Sequence, residues 1–202
     1  MTDAARPPAE FDFPLSWTGP DGIGASPFDE FAHDEAPDVS DEQGDDPAVA
    51  LRRTLGMFAT GVTVITARSS EQVHGMTANA FMSVSMEPPL VLISIDRRTK
   101  MCNLLHEGGH YGVSVLCAEQ SALSDRFAGR TGDDLPVPRF DLVYDTPLVE
   151  GALAHFVARV ARSYWGGDHS LFLGRVEYAR HHDGAPLLFH GGRYERLGQK
   201  AS

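Results

Sequence analysis

Residues 48–202 predict a mostly β domain, an antiparallel barrel with a few short helices, and three observations carry that reading. Short stretches with period-two alternation recur along the chain, helical spacing is confined to brief segments, and strands do not alternate with helices in the βαβ manner that builds a parallel sheet. Ahead of them stands a segment of another kind. Residues 1–47 hold thirteen Asp or Glu against one Arg, and seven of the thirteen prolines, with no amphipathic period. Such a segment buries too little apolar surface to offset the entropy of ordering, so a disordered N-terminal extension is predicted. Its Phe11, Phe13, Trp17, Phe28 and Phe31, set among acids, are candidate anchors for a partner; the plainer alternative is a solubilising tail.

Taken in order, Asp45-Asp46-Pro47 predicts a helix start, with an acid at the cap and proline in the first turn. Leu51, Leu55 and Phe58 then recur at helical spacing, and the helix is expected to end near Gly61. Residues 62–68 and 73–77 read as a hairpin around a turn at 69–72. In the next strand Phe81, Ser83 and Ser85 alternate with Met82, Val84 and Met86, until Glu87-Pro88-Pro89 removes the ladder donors. The near-continuous apolar run 90–95 predicts a strand buried on both faces. Thr99 caps a helix over 100–106 that Gly108-Gly109 stops; a strand over 111–116 and a short helix over 121–128 follow. Residues 129–147, rich in Gly, Pro, Asp and Arg, read as a long loop. Strands over 152–164 and 171–180, with short ones at 187–189 and 194–197, complete the chain.

Charge and composition exclude several classes of function. The formal net charge of −11 resides in the extension, because the remainder carries sixteen Lys or Arg against fifteen acids. A near-neutral body behind an acidic segment offers no field for nucleic acid. No run approaches the ~18 apolar residues of a membrane span, and the first fourteen residues lack an apolar signal-peptide core. Cys102 and Cys117 sit in apolar contexts, which favours reduced, buried thiols over a disulfide framework. A cytoplasmic protein is expected.

The stretch Gly75-Met76-Thr77-Ala78-Asn79 lets backbone approach a flat ligand while Thr77 and Asn79 offer hydrogen bonds, a surface suited to a planar heterocycle. The structural alternative is that both side chains satisfy a turn. At the end of the apolar strand lie Ser94, Ile95, Asp96, Arg97, Arg98, Thr99 and Lys100. Gly166-Gly167-Asp168-His169 joins two predicted strands through a tight turn that projects Asp168 and His169 from a rim; a solvent-facing histidine is the alternative. Neither a G-x-G-x-x-G fingerprint nor a P-loop lysine is present, which disfavours a Rossmann cofactor site. No metal site is predicted: His106 and His110 have the i,i+4 spacing, but Gly108-Gly109 breaks the helix a ligand pair needs. His181-His182-Asp183 reads better as a polar turn. The cysteines have no local partner for nucleophilic catalysis, and Ser83 and Ser85 lack a nucleophile-elbow setting.

Thr60-Gly61-Val62-Thr63-Val64-Ile65-Thr66, the 75–96 stretch, Phe127-Ala128-Gly129, Gly167-Asp168-His169 and Leu171-Phe172-Leu173-Gly174 occur in an order that resembles the flavin reductase-like family, over residues 48–197. The resemblance implies an FMN-binding type of split barrel in a homodimer. It also implies hydride transfer from NADH or NADPH to FMN or FAD, with reduced, diffusible flavin supplied to a partner monooxygenase. Gly75, Met76, Thr77, Ala78 and Asn79 would then line the isoalloxazine ring. Ser94, Ile95 and Asp96 would follow the ribityl chain, and Thr99, Lys100, Arg126 and Phe127 the phosphate. Gly167, Asp168 and the catalytic candidate His169 belong to the nicotinamide side. The chain departs from the family pattern at Ser114, where Asn is usual, at Ala158, where Cys is frequent, and at the bulky Tyr164-Trp165 pair. Two rival readings are a flavin storage or sensor protein without turnover and an interaction module that works through the acidic extension.

Overall fold

The computed structural model describes residues 44, 46–70, 72–132 and 134–198. The expectations about residues 1–43 lie outside the described residues. Helix α1 (Pro47–Gly56) begins as its sequence requires: the Asp46 carboxylate accepts from the Ala48 N–H at 2.9 Å, and Pro47 occupies the first turn. It stops short of the expected end near Gly61. The chain turns out instead to form β1 (Thr60–Gly61), whose backbone pairs with β11 (Leu188–His190). Of this helix only Ala50 is buried; Leu55 is 65% and Phe58 77% exposed, so its apolar side does not enter the core of its own chain.

β2 (Thr63–Ser69) and β3 (Gln72–Ala78) form the expected hairpin. β4 (Phe81–Met86) and β5 (Pro89–Asp96) follow, joined across a cis Glu87-Pro88 bond, with a bulge between Ser83 and Ser85. α2 (Lys100–His106) is capped by the Thr99 hydroxyl, which accepts from the Cys102 N–H at 3.2 Å. β6 (His110–Val115) and α3 (Ser121–Phe127) lead into a hairpin the sequence did not suggest, β7 (Phe140–Val143) and β8 (Thr146–Val149). Its turn places Tyr144 and Asp145 at φ +49° and +58°, a backbone usually signalled by Asn-Gly or Asp-Gly. Asp145 suits the turn but is followed by Thr rather than Gly, and Pro147 argues against a strand. Pro147 is accommodated because its carbonyl, not an N–H, is used: it accepts from the buried Thr66 hydroxyl. Two long strands, β9 (Ala154–Gly166) and β10 (His169–His181), and the short β11 and β12 (Arg193–Glu195) complete the chain.

Seven strands form one antiparallel sheet in the order β3-β2-β6-β9-β10-β5-β4. Its edges, β3 and β4, are consecutive in sequence and joined by Asn79-Ala80, yet they do not pair with each other. The sheet therefore curls until its edges meet at one corner and stays split there. Ile65, Ile93, Ile95, Met101, Tyr111, Val113 and Phe172 fill the interior under α2. A second cluster of Val62, Val64, Leu116, Leu123, Val149 and Leu187 lies beneath α3. The departures from the family pattern are packed into this frame: the Ser114 hydroxyl accepts from the Val149 N–H at 2.9 Å, and Ala158 is fully buried.

Burial of β5 on both faces is corrected. Val91, Ile93 and Ile95 enter the core, whereas Leu90, Leu92 and Ser94 are half-exposed on the outer face. Continuous apolar sequence reports two apolar faces, and no layer among the described residues covers the second. Met82 on β4, Leu171 and Leu173 on β10 and Tyr164 on β9 extend that outer face. Among the described residues no helix is long and apolar enough to cross a membrane.

Candidate active site

The split corner of the barrel opens a cleft of about 730 Å³, within the range of small-molecule sites. Leu55 and Phe58 wall it from the α1 side, Asn79 and Ala80 from the β3–β4 corner, and Met82, Leu92 and Ser94 from the outer sheet face. Backbone bonds set this corner. The Asn79 carbonyl accepts from Phe81 N–H at 3.0 Å, and the Ala80 carbonyl accepts from Ser94 N–H at 3.2 Å, which ties the corner to β5 and leaves Asn79 exposed. The cleft is thus largely apolar, with the Asn79 amide and Ser94 hydroxyl among its few polar groups.

The other four residues of the 75–79 stretch do not line the cleft. Met76 and Ala78 pack against the barrel core. The Thr77 hydroxyl donates to the Ser124 carbonyl at 2.6 Å, tying β3 to α3. Gly75 lies under the Phe127 ring, where an added Cβ would sit 2.5 Å from Cε1. Glycine is required here by a neighbouring aromatic, so the close approach it permits is that of Phe127. Phe127 also meets Phe140, and the half-buried Arg126 donates through Nη1 to the Leu135 carbonyl at 3.4 Å. Lys100 is exposed at the start of α2; burial, and after it the Lys100 charge, lowers the pKa of His74 on β3.

Beyond the cleft the outer face of β5 leads to a charged rim. Side chains two apart on a strand share a face and are separated by about 7 Å, so Asp96 follows Ser94 directly, with buried Ile95 turned inward. Asp96 pairs in register with His169 on β10. Gly167 begins the two-residue turn between β9 and β10 with φ +66°, the positive value required at that position of a II′ turn. The Asp168 carbonyl accepts from Arg97 N–H at 3.0 Å and fixes the turn to the end of β5. Asp168 Oδ1 lies 2.7 Å from His169 Nδ1, and this hydrogen bond holds the Asp168 pKa below its ordinary value. Asp96 is held well below the carboxylate range by hydrogen bonds from the Arg98 side chain and backbone, the closest being Arg98 Nη2 at 2.6 Å. Thr99 also donates to the Asp96 carbonyl at 2.8 Å.

The fold therefore brings Asn79 with Ser94, and Asp96 with Asp168, His169, Gly167 and Thr99, along one face of β5. It separates both groups from Gly75, Thr77 and Phe127, which serve the β3–α3 contact. His106 and His110 also part: the first lies 3.4 Å from the Ser170 hydroxyl, the second 2.7 Å from Glu177. Sequence reasoning missed Leu55 and Phe58 as cleft residues, although their helical spacing was visible, because spacing alone does not say what an apolar stripe faces.

The flavin reductase like domain family matches residues 55–198. A protein of Rhodococcus sp, "NADH-dependent flavin reductase", is 47% identical over 158 residues, covering 75% of this chain and 89% of that protein. The "4-hydroxyphenylacetate 3-monooxygenase, reductase component" of Thermus thermophilus is 40% identical over 149 residues, covering 73% and 95%. Among solved structures, "Flavin reductase PheA2 in native state" superposes with a TM-score of 0.72 at 39% identity, covering 79% of this chain and all of that one.

Proposed function

The chain belongs to the flavin reductase-like domain family, and from that premise we propose that it uses NADH to reduce free FMN or FAD and passes the reduced flavin to a partner monooxygenase. The observation that carries the reading is the continuity of the apolar cleft with the charged rim along the outer face of β5. The residues present fit a flavin. Its flat ring needs apolar walls and its pyrimidine edge needs a group that both donates and accepts, which is what the exposed Asn79 amide offers. Ser94 and Asp96 follow for the ribityl hydroxyls, with Thr99 and Lys100 for the phosphate end. When bound, the flavin accepts hydride from the nicotinamide, so the chain's own work is to stack, orient and charge-match two ligands and to exclude water from between them. No nucleophile is needed. In this reading His169, oriented by Asp168, hydrogen-bonds the donor.

The apolar outer face of Met82, Leu92, Leu171, Leu173 and Tyr164 supports a homodimer in which a second copy covers it. Reduced Cys102 and Cys117 and the use of NADH are consistent with a cytoplasmic location. The experiment is NADH oxidation followed at 340 nm with FMN or FAD, together with an anaerobic flavin titration. Turnover above the uncatalysed background is expected. Flavin binding without turnover would leave a storage or sensor protein, and no binding would overturn the assignment.

A further inference from the structure

Two adjacent arginines leave β5, and the fold treats them differently. Arg98 is neutralised: its guanidinium makes hydrogen bonds of 2.6, 3.1 and 3.3 Å to the Asp96 carboxylate. Arg97 has no carboxylate partner among the described residues. Its guanidinium lies over the Trp165 ring, 4.4 Å from the centroid, and Nη1 reaches one backbone oxygen, that of Gly167, at 3.4 Å. Its backbone is pinned by the bond to Asp168. The neighbouring side chains of the rim do not duplicate it, since His169 is hydrogen-bonded to Asp168 and Lys100 stands one turn further on, at the start of α2.

We propose that Arg97, held on Trp165, is a phosphate receptor of the reductase reaction, the group that takes the anionic ester or diphosphate of a nucleotide ligand at the rim. The inference rests on the reductase reading above. An exposed cation that is already ordered loses little entropy on binding, and its planar fork can bond two phosphate oxygens while its face stays on the indole. Trp165, 47% exposed, is a positioning residue that acts through Arg97. This also gives the bulky Trp165 a use: the indole holds the charge that attracts a ligand.

Both nicotinamide donor and flavin carry phosphate, so the test uses four pairings: NADH or 1-benzyl-1,4-dihydronicotinamide as donor, with FMN or riboflavin as acceptor. Only NADH and FMN bear phosphate. For Arg97→Gln we expect KM for the phosphate-bearing partner to rise about tenfold relative to its phosphate-free counterpart, with kcat changed less than about twofold. Trp165→Leu moves the same KM about threefold, Trp165→Phe restores most of it, and Arg98→Gln leaves it within about twofold. The donor pairings and the acceptor pairings tell which phosphate is held. Losses equal in all four pairings, or none in any, overturn the proposal while the wild-type turnover upholds the reductase reading. Absence of wild-type turnover overturns both.

Discussion

Replacing Tyr111 by phenylalanine should stabilise the barrel. Tyr111 is fully buried, and its hydroxyl has no hydrogen-bond partner among the described residues, while burial pushes its pKa upward. An unpaired buried hydroxyl costs about 1–3 kcal/mol. Removing the oxygen leaves a small void whose cost, at roughly 24 cal/mol per Å³ for a volume of about 15 Å³, is near 0.4 kcal/mol. The net expectation is a gain of about 1 kcal/mol, or ~2–4 °C in Tm for a chain of this size. The same hydroxyl meets Gly174: a Cβ there would run into it, and would lie 2.7 Å from Cζ. Gly174→Ala should therefore lose about 1–3 kcal/mol or more by overpacking. Adding Tyr111→Phe should recover part but not all of that loss, because the ring carbon still crowds the new methyl. Urea and thermal unfolding of the two single variants and the double variant form the cycle. Flavin reduction should stay unchanged for Tyr111→Phe, since the ring faces the core and not the cleft. A loss of 1 kcal/mol or more for Tyr111→Phe would refute the reasoning, for it would mean the hydroxyl is paired.

Gly75→Ala should push Phe127 off β3 and lower stability by about 1–3 kcal/mol, read by urea unfolding, with flavin affinity falling only as a consequence of that shift. Asn79→Leu should do the reverse, weakening flavin binding in a fluorescence titration by roughly tenfold for the loss of one ligand hydrogen bond, with Tm little changed; equal losses in both would make Asn79 a structural turn residue. His169→Ala should raise KM for NADH while leaving flavin affinity nearly intact, and the opposite pattern would reverse the assignment of donor and acceptor sides. The Asp96 carboxyl is depressed in the folded state, so its pairing with Arg98 contributes stability that is present above the unfolded value near 3.9 and lost as pH falls through the folded value. Asp96→Asn should then lie slightly below wild type in urea melts at pH 7, and the two should converge toward acid pH.

Local chemistry made much of this protein readable in advance. The Asp46-Pro47 and Thr99 helix starts, the β4 strand bounded by Glu87-Pro88-Pro89, and the Gly167-Asp168 turn depend on neighbours in sequence, and they form where capping, proline and positive φ require them. Asn79, an amide in a stretch of small residues, and Ser94, which the family resemblance singled out, both line the cleft. Periodicity, by contrast, reports that a face is apolar without reporting what covers it. Leu55 and Phe58 were read only as the spacing of a helix and stand exposed at the cleft, and the outer face of β5 was read as buried and is half-exposed. Gly75 needed its partner to be understood, since only the arrival of Phe127 from 52 residues downstream shows why a side chain is excluded. The same holds for Arg97, though not for its neighbour Arg98. Arg98 bonds to Asp96 two residues before it, a local contact, whereas Arg97 is stacked on Trp165 only because sheet pairing brought the β9–β10 turn against the end of β5, and pairing across a sheet, unlike capping or turn preference, is a property of distant segments.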